Sequence, residues 1–321
     1  MKFNVALRVV AVMFIAAKTL YCQESVCTLF ADLERANGKQ LVLTGDLIIS
    51  KSSSALGSAI CDHRYTAPVN GMNNVNNMFP TALYLRPSAA VTPAQLKEFQ
   101  NAGIEADRLR TEGKIVRASG SFSGRLRVAP VGTLPGELTF DSFDDLRVET
   151  LAPADSLPVI PICDLFQNLS QWSGKRIAVR GELGATFEGS WISGHCKGAF
   201  FTSEYRWPVA LSLGVPAYQS YEYEKLYLPK WPAVSKRDSA LNVSTTATLV
   251  GILNMRSEYH VVCLRNGTYF GNGFGHLNGA AGELLADTVL NFEVNQRTEE
   301  SNPSNQAEQS CVPSASVPAR P

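Results

Sequence analysis

Apolar residues recur at helical spacing in two short stretches, Cys27–Ala36 and Cys163–Trp172, and each stretch runs into a Gly-Lys pair whose glycine suits a helix C-terminus. Behind each comes a run rich in β-branched and apolar residues, Gln40–Ile49 and Arg176–Leu183. A central glycine in each, Gly45 and Gly181, invites a bend or bulge in a predicted strand. Short strands are expected at Thr81–Leu85 and Val209–Leu213, and longer ones at Lys114–Phe122, Glu137–Glu149, Thr245–Met255 and Gly282–Val294. Pro93–Leu109 reads as a helix: Thr92 is its cap, Pro93 fits the first turn, and Leu96, Phe99 and Ile104 give it an apolar face. Tyr218–Tyr227 holds the corresponding place in the second half and is also expected to be helical.

The two halves repeat each other. Val26-Cys27-Thr28-Leu29-Phe30 answers to Ile162-Cys163-Asp164-Leu165-Phe166 at an offset of 136, and the same offset carries Thr44-Gly45-Asp46-Leu47 onto Arg180-Gly181-Glu182-Leu183. Further on, Cys61 falls on Cys196, Phe79-Pro80 on Trp207-Pro208, Ala118–Phe122 on Leu249–Leu253, and Gly136-Glu137-Leu138 on Gly282-Glu283-Leu284. Matches in one order at slowly drifting offsets point to a duplication. Two copies, each long enough for its own core, make a tandem pair rather than a solenoid.

The chain begins with Met1 and Lys2 followed by a short apolar run to Ala17, interrupted by Arg8. That is the pattern of a secretory signal, and residues 1–22 are assigned to it. No later run approaches the roughly 20 apolar residues of a spanning helix, so the mature protein is expected to be exported: periplasmic, associated with the cell envelope or secreted. In that compartment cysteines read as disulfides, Cys27 with Cys61 and Cys163 with Cys196. Zinc would need four ligands at close spacing, whereas only His63 and His195 lie near these cysteines and they do not align, so no metal and no cofactor is expected. Cys263 and Cys311 are left over, and pairing with each other is one way to use them.

The order is helix, two or three strands, helix, two strands; three strands, a helix and two strands make the five-stranded Greek-key barrel of the OB-fold, with a curved first strand. The fold class is therefore mainly β with short helices, two tandem OB-like barrels each preceded by a short helix, and a β-sandwich as the competing architecture. The first barrel is placed at 23–152, a proline-bearing linker at 153–161, the second barrel at 162–296, and a disordered tail rich in Ser, Pro, Asn, Gln and Glu at 297–321. The second half, with Ile162-Cys163-Asp164-Leu165, Gly174-Lys175, Val179-Arg180-Gly181-Glu182, Gly189-Ser190-Trp191, Cys196, Trp207-Pro208 and Gly273-Phe274-Gly275-His276-Leu277, resembles small uncharacterised exported bacterial proteins with an OB-fold-like barrel. The resemblance extends more faintly to the first half. It implies a fold and an envelope location, and it brings no activity with it.

Charge balances, 29 basic against 29 acidic residues, which argues against nucleic acid as a partner, because affinity for it is driven by phosphate. A glycan or peptide ligand, or an envelope protein, fits better. All four tryptophans and seven of ten tyrosines lie in the second half, so that half is the expected ligand site. Its candidate ligand-binding residues are Glu188, Trp191, His195, Tyr205, Trp231 and His276; Trp172 and Trp207 are expected to be packing residues. Glu188 and His195 have the chemistry of an acid–base pair, yet no placed nucleophile accompanies them, so a hydrolase ranks third, behind a binding module and a structural envelope protein. Gly271–Gly279 lacks the lysine and the strand-to-helix setting of a phosphate loop and reads as a tight turn that needs positive φ.

Overall fold

The computed structural model describes residues 23–49, 54–58, 61, 65–69, 72–79, 81–131, 134–186, 189–196, 200–202, 205–214, 243–263, 269–275, 278–296 and 310–311. The expected signal at 1–22, the expected helix at 218–227 and most of the tail lie outside these. Among the described residues, no helix is long and apolar enough to cross a membrane.

The first half runs β1 (Gln23–Ser25), α1 (Val26–Phe30), β2 (Gln40–Ile49), β3 (Ser54–Gly57), β4 (Tyr65–Val69), β5 (Met72–Phe79), β6 (Ala82–Pro87), α2 (Pro93–Thr111), β7 (Val116–Val131) and β8 (Leu134–Thr150). Ser25 caps α1 by accepting from the Thr28 N–H at 3.0 Å. The opening helix is shorter than expected. After Phe30 the backbone tightens to i→i−3 bonds, Ala31 N–H to Thr28 O and Asp32 N–H to Leu29 O, and a 3-10 turn at Glu34–Ala36 leads to Gly38 at φ +78°. The second helix is as expected, and Thr92 makes a full capping box with Gln95.

Strands β2, β3, β6, β8 and β7 pair in that order, and β7 pairs back onto β2, closing a five-stranded barrel. All neighbours are antiparallel except β6 and β8. Closure excludes the sandwich alternative for this half. Leu43, Leu47, Leu56, Leu83, Phe122, Leu126, Leu138 and Phe140 fill the interior, with Val26, Leu29, Phe30 and Leu33 from the opening turns. Phe99 of α2 joins Phe122, Phe140 and Phe143, with ring centroids 5.3–6.2 Å apart. Edge-on and tilted rings at this spacing satisfy the aromatic quadrupoles as well as filling space.

The second half runs β9 (Val159–Pro161), α3 (Ile162–Gln167), β10 (Arg176–Thr186), β11 (Gly189–Ser193), β12 (Phe200–Thr202), β13 (Tyr205–Trp207), β14 (Ala210–Gly214), β15 (Val243–Met255), β16 (Val261–Cys263), β17 (Tyr269–Gly271), β18 (Gly282–Gln296) and β19 (Ser310–Cys311). Its main sheet has the order β11-β14-β18-β15-β10-β9, and β10 also pairs with β11. Strand β19 adds antiparallel to β13, so at Ser310–Cys311 the tail is ordered rather than disordered; the backbone there finds partners in Tyr205 and Arg206. The core holds Ile162, Leu165, Phe166, Val179, Ile192, Leu211, Leu249, Leu253 and Leu284, together with Tyr205 and Trp207.

Both expected disulfides are present, Cys27–Cys61 with Cα atoms 5.0 Å apart and Cys163–Cys196 with Cα atoms 5.5 Å apart. Cys263 is disulfide-bonded as well. Between the halves, Ile115 and Leu151 pack on Ile252 and Leu285; within the first half the Leu151 N–H donates to Ile115 O at 2.9 Å. The Arg176 guanidinium donates to Ala152 O at 2.6 Å.

The register of β7 corrects the sequence alignment. Gly38 N–H donates to Leu126 O and Leu126 N–H to Lys39 O, at 2.8 and 3.0 Å; Gly174 N–H donates to Leu253 O and Leu253 N–H to Lys175 O, at 2.8 and 3.1 Å. Leu253 therefore answers to Leu126, not Phe122, and Gly251 to Gly124. Both glycines sit where a Cβ would run into the backbone of the next strand, at Thr139 and Phe140 for Gly124 and at Leu285 and Ala286 for Gly251. Replacing a strand glycine by alanine ordinarily gains about 0.5–1 kcal/mol. At Gly124 the clash is with backbone that cannot step aside, so Gly124→Ala is expected to lose about 1–3 kcal/mol instead, read from the urea midpoint. Neighbouring Ser123→Ala is expected to stay within about 0.5 kcal/mol of the parent.

Candidate ligand-binding faces

Strand β10 changes partner partway along. Arg176–Leu183 pair with β15 and Glu182–Thr186 with β11, which sets Gly184 opposite Trp191 and Glu182 opposite Ser193. Gly184 matters here because it has no side chain. A Cβ would collide with the Trp191 indole, which lies close over the strand there, half-buried. On its other side Trp191 faces Ser212 of β14. Gly275, at φ +71°, brings the glycine-rich loop against the Ser212 side chain; a Cβ on it would stand 2.8 Å from the hydroxyl. Asn278 takes φ +56° and donates from its amide to Gly271 O at 2.8 Å, and Arg256 holds the loop from beneath through Asn272 O at 2.7 Å with its guanidinium 4.1 Å from the Phe274 ring centre. The expected tight turn with positive φ is thus present.

His195 follows β11 and is exposed. Its Nε2 lies 3.1 Å from Glu182 Oε2, beside the Cys163–Cys196 bridge that tethers the segment. Its acidic neighbour is Glu182; Glu188 lies outside the described residues, as do Trp231 and His276. The Ser193 hydroxyl donates to Glu182 O at 3.3 Å and not to the imidazole, so Ser193 is not placed as a nucleophile.

Tyr205 is a correction. It is 0 % exposed, stacked edge-on against Trp207 with ring centroids 4.8 Å apart, and lies in the core rather than on a face that meets a ligand. Trp207 is buried as expected, donating from Nε1 to Thr202 Oγ1 at 2.5 Å, and Trp172 packs partly buried on the same core with Lys175 Nζ 5.4 Å from its ring centre.

A second polar place was not singled out from sequence. On the first barrel a cleft of about 580 Å³ is lined by Asn37, Gly38, Gln40, Arg125, Arg127 and Asp141, with Leu126 and Thr139 between them. Asp141 accepts from Ser88 Oγ at 2.6 Å and from Gln40 Nε2 at 2.9 Å. The Asp141 counterpart in the second half is Asp287, buried and clasped by Arg176 through two hydrogen bonds of 2.7 and 2.8 Å. The signal was in the strands: Arg125-Leu126-Arg127 puts two cations on the outer face of β7, with Leu126 turned inward.

Compared with family models, curated proteins and solved structures, the chain matches none.

The hydrogen bonds from Ser88 and then Gln40, with the nearby Arg125 charge, hold the Asp141 carboxyl below its ordinary value of 3.8 against a smaller opposing effect of burial. A depressed carboxyl stabilises the fold fully above its unfolded pKa, and that contribution drains away as pH falls through the folded value. The stability difference between parent and Asp141→Asn is therefore expected to be constant above roughly pH 5 and to shrink below about pH 4. Urea unfolding at a series of pH values checks this; a difference that ignores pH counts against it.

Proposed function

We propose that the chain is an exported, disulfide-bonded binding module of two tandem OB-like barrels, and that the face around Trp191 takes a glycan. Several observations support the duplication. Both sheets have the same strand order with two parallel pairs, β1–β2 and β6–β8 in one and β9–β10 and β14–β18 in the other, and β2 and β10 each exchange one antiparallel neighbour for another along their length. The disulfides span 34 and 33 residues at matching places, and Gly38 and Gly174 share φ values of +78° and +77° and the same hydrogen bonds. Two disulfide bridges, the apolar run before Ala17 and the lack of a spanning helix among the described residues agree with export to the envelope or beyond. The kinship with exported bacterial barrel proteins belongs to this proposal too.

The observation that carries the glycan reading is Trp191 lying over Gly184 on the second strand of its sheet. OB barrels bind oligosaccharides on the second and third strands between the loops that follow strands one and four. Trp191 is on the second strand, Ser212 on the third, and the loop at Gly275 lies beside them. A half-buried indole suits the apolar face of a pyranose, while the Glu182–His195 pair supplies hydrogen-bonding groups nearby.

Titrating the full chain with neutral oligosaccharides, followed by tryptophan emission, is expected to give a saturable shift. Trp191→Ala is expected to weaken binding by about tenfold, the worth of one aromatic contact at about 1.4 kcal/mol. No saccharide response, or a response to peptides alone, overturns the glycan reading and favours a structural envelope protein.

A further inference from the structure

One row of outward positions crosses four strands of the first barrel: Gln40 of β2, Arg125 of β7, Thr139 of β8 and Arg86 of β6, each directly opposite the next. The same row in the second sheet reads Arg176, Ile252, Leu285 and Gly214. The two rows have different fates. Ile252 and Leu285 are buried under Ile115 and Leu151, and Arg176 is spent on Asp287 and on Ala152 O. In the first barrel nothing described covers the row, and the cleft of about 580 Å³ opens there.

The open row is furnished on both sides of the hydrogen-bonding ledger. Arg125 and Arg127 are exposed and make no hydrogen bond or ion pair with any described residue. Asn37 accepts from the Val128 N–H at 2.9 Å through Oδ1, which leaves its amide N–H groups for other partners. Asp141 spends one acceptor site on each oxygen and keeps the others, and Gln40 donates to it while its own Oε1 remains an acceptor. Two guanidiniums call for an anion. A carboxylate fixed among them repels a bare polyanion and needs hydroxyl donors instead.

We propose that this cleft binds a carboxylated saccharide, an oligomer of uronic acids, with its carboxylates on Arg125 and Arg127 and its hydroxyls on Asp141 and Gln40. The site is separate from the Trp191 face and can fail or stand without it, because all four tryptophans lie in the second half and report only on that half.

Calorimetric titration of the full chain with a galacturonic-acid trisaccharide, the neutral galactose trisaccharide, a glutamate trimer and inorganic phosphate tests it, with tryptophan emission recorded alongside. The acidic trisaccharide is expected to bind at least about tenfold more tightly than the other three, more weakly at raised salt, and without moving the tryptophan emission. Arg125→Gln with Arg127→Gln is expected to weaken it by about tenfold or more, while thermal unfolding shows the exposed changes leave the fold intact. Absence of binding, equal binding of the neutral sugar, the glutamate trimer or phosphate, or unchanged affinity in the variant overturns the proposal. So does a tryptophan response that Trp191→Ala abolishes, since the ligand then sits on the other face.

Discussion

In residues 23–150 the sheet closes on itself through β2, which serves two neighbours in succession. Gln40–Asp46 pair with β7 and Asp46–Ile49 with β3, so Asp46 is the residue held from both sides. Gly45 immediately before it has no room for a side chain: a Cβ would strike the Gly57 carbonyl and stand 3.0 Å from Val26 Cγ2. Asp46 itself is buried and accepts from Arg117 Nε at 2.5 Å, which fastens the far end of β7 to the pivot. Remove the glycine's close approach and the strand must follow one neighbour only. The interior filled by Phe122, Phe140 and Phe99 then loses its wall.

The same pivot in the second half places the candidate site. Gly181 stands against the Ser193 carbonyl and Ile192, and Glu182, the residue after it, pairs with both β15 and β11. Where the buried Asp46 accepts from the half-exposed Arg117, Glu182 meets the exposed His195, held in place by the neighbouring disulfide. The residue after the close-approach glycine thus supplies a partly buried ion pair in one half and a solvent-facing pair in the other.

The elements written in strong local signals were legible in the sequence. Thr92-Pro93 with Gln95 opens α2, the two Gly-Lys pairs mark the positive-φ turns, and the cysteines pair as their repeat positions imply. The slip of four residues between β7 and β15 has a physical cause. Ala118–Gly124 offers two glycines and small residues, so neither bulk nor periodicity says which glycine answers to Gly251, and only the hydrogen bonds of Gly38 and Gly174 decide. Tyr205 was misplaced because aromatic content alone does not distinguish a core ring from a surface ring. The cleft is not legible in the sequence because Asn37, Arg125 and Asp141 are far apart along the chain, and only pairing brings them side by side.

The two halves trade which face they leave open. Across β2, β3 and β6 the outward row is Ile48, Ala55, Tyr84, and Leu134 packs over it. The corresponding row across β10, β11 and β14 is Gly184, Trp191, Ser212. Ile-Ala in one sheet stands against Gly-Trp in the other, which moves the bulk of the pair onto one ring. On the Gln40–Arg125–Thr139–Arg86 row the bias is reversed, apolar and covered by the junction in the second half, cationic and open in the first. Burial of Ile252 and Leu285 against Ile115 and Leu151 favours docking of the halves, which an arginine at position 252 would oppose by the cost of burying an unpaired charge. The half that packs its Ile252–Leu285 face carries an indole on the other, and the half that packs its Ile48–Tyr84 face carries two guanidiniums on the other.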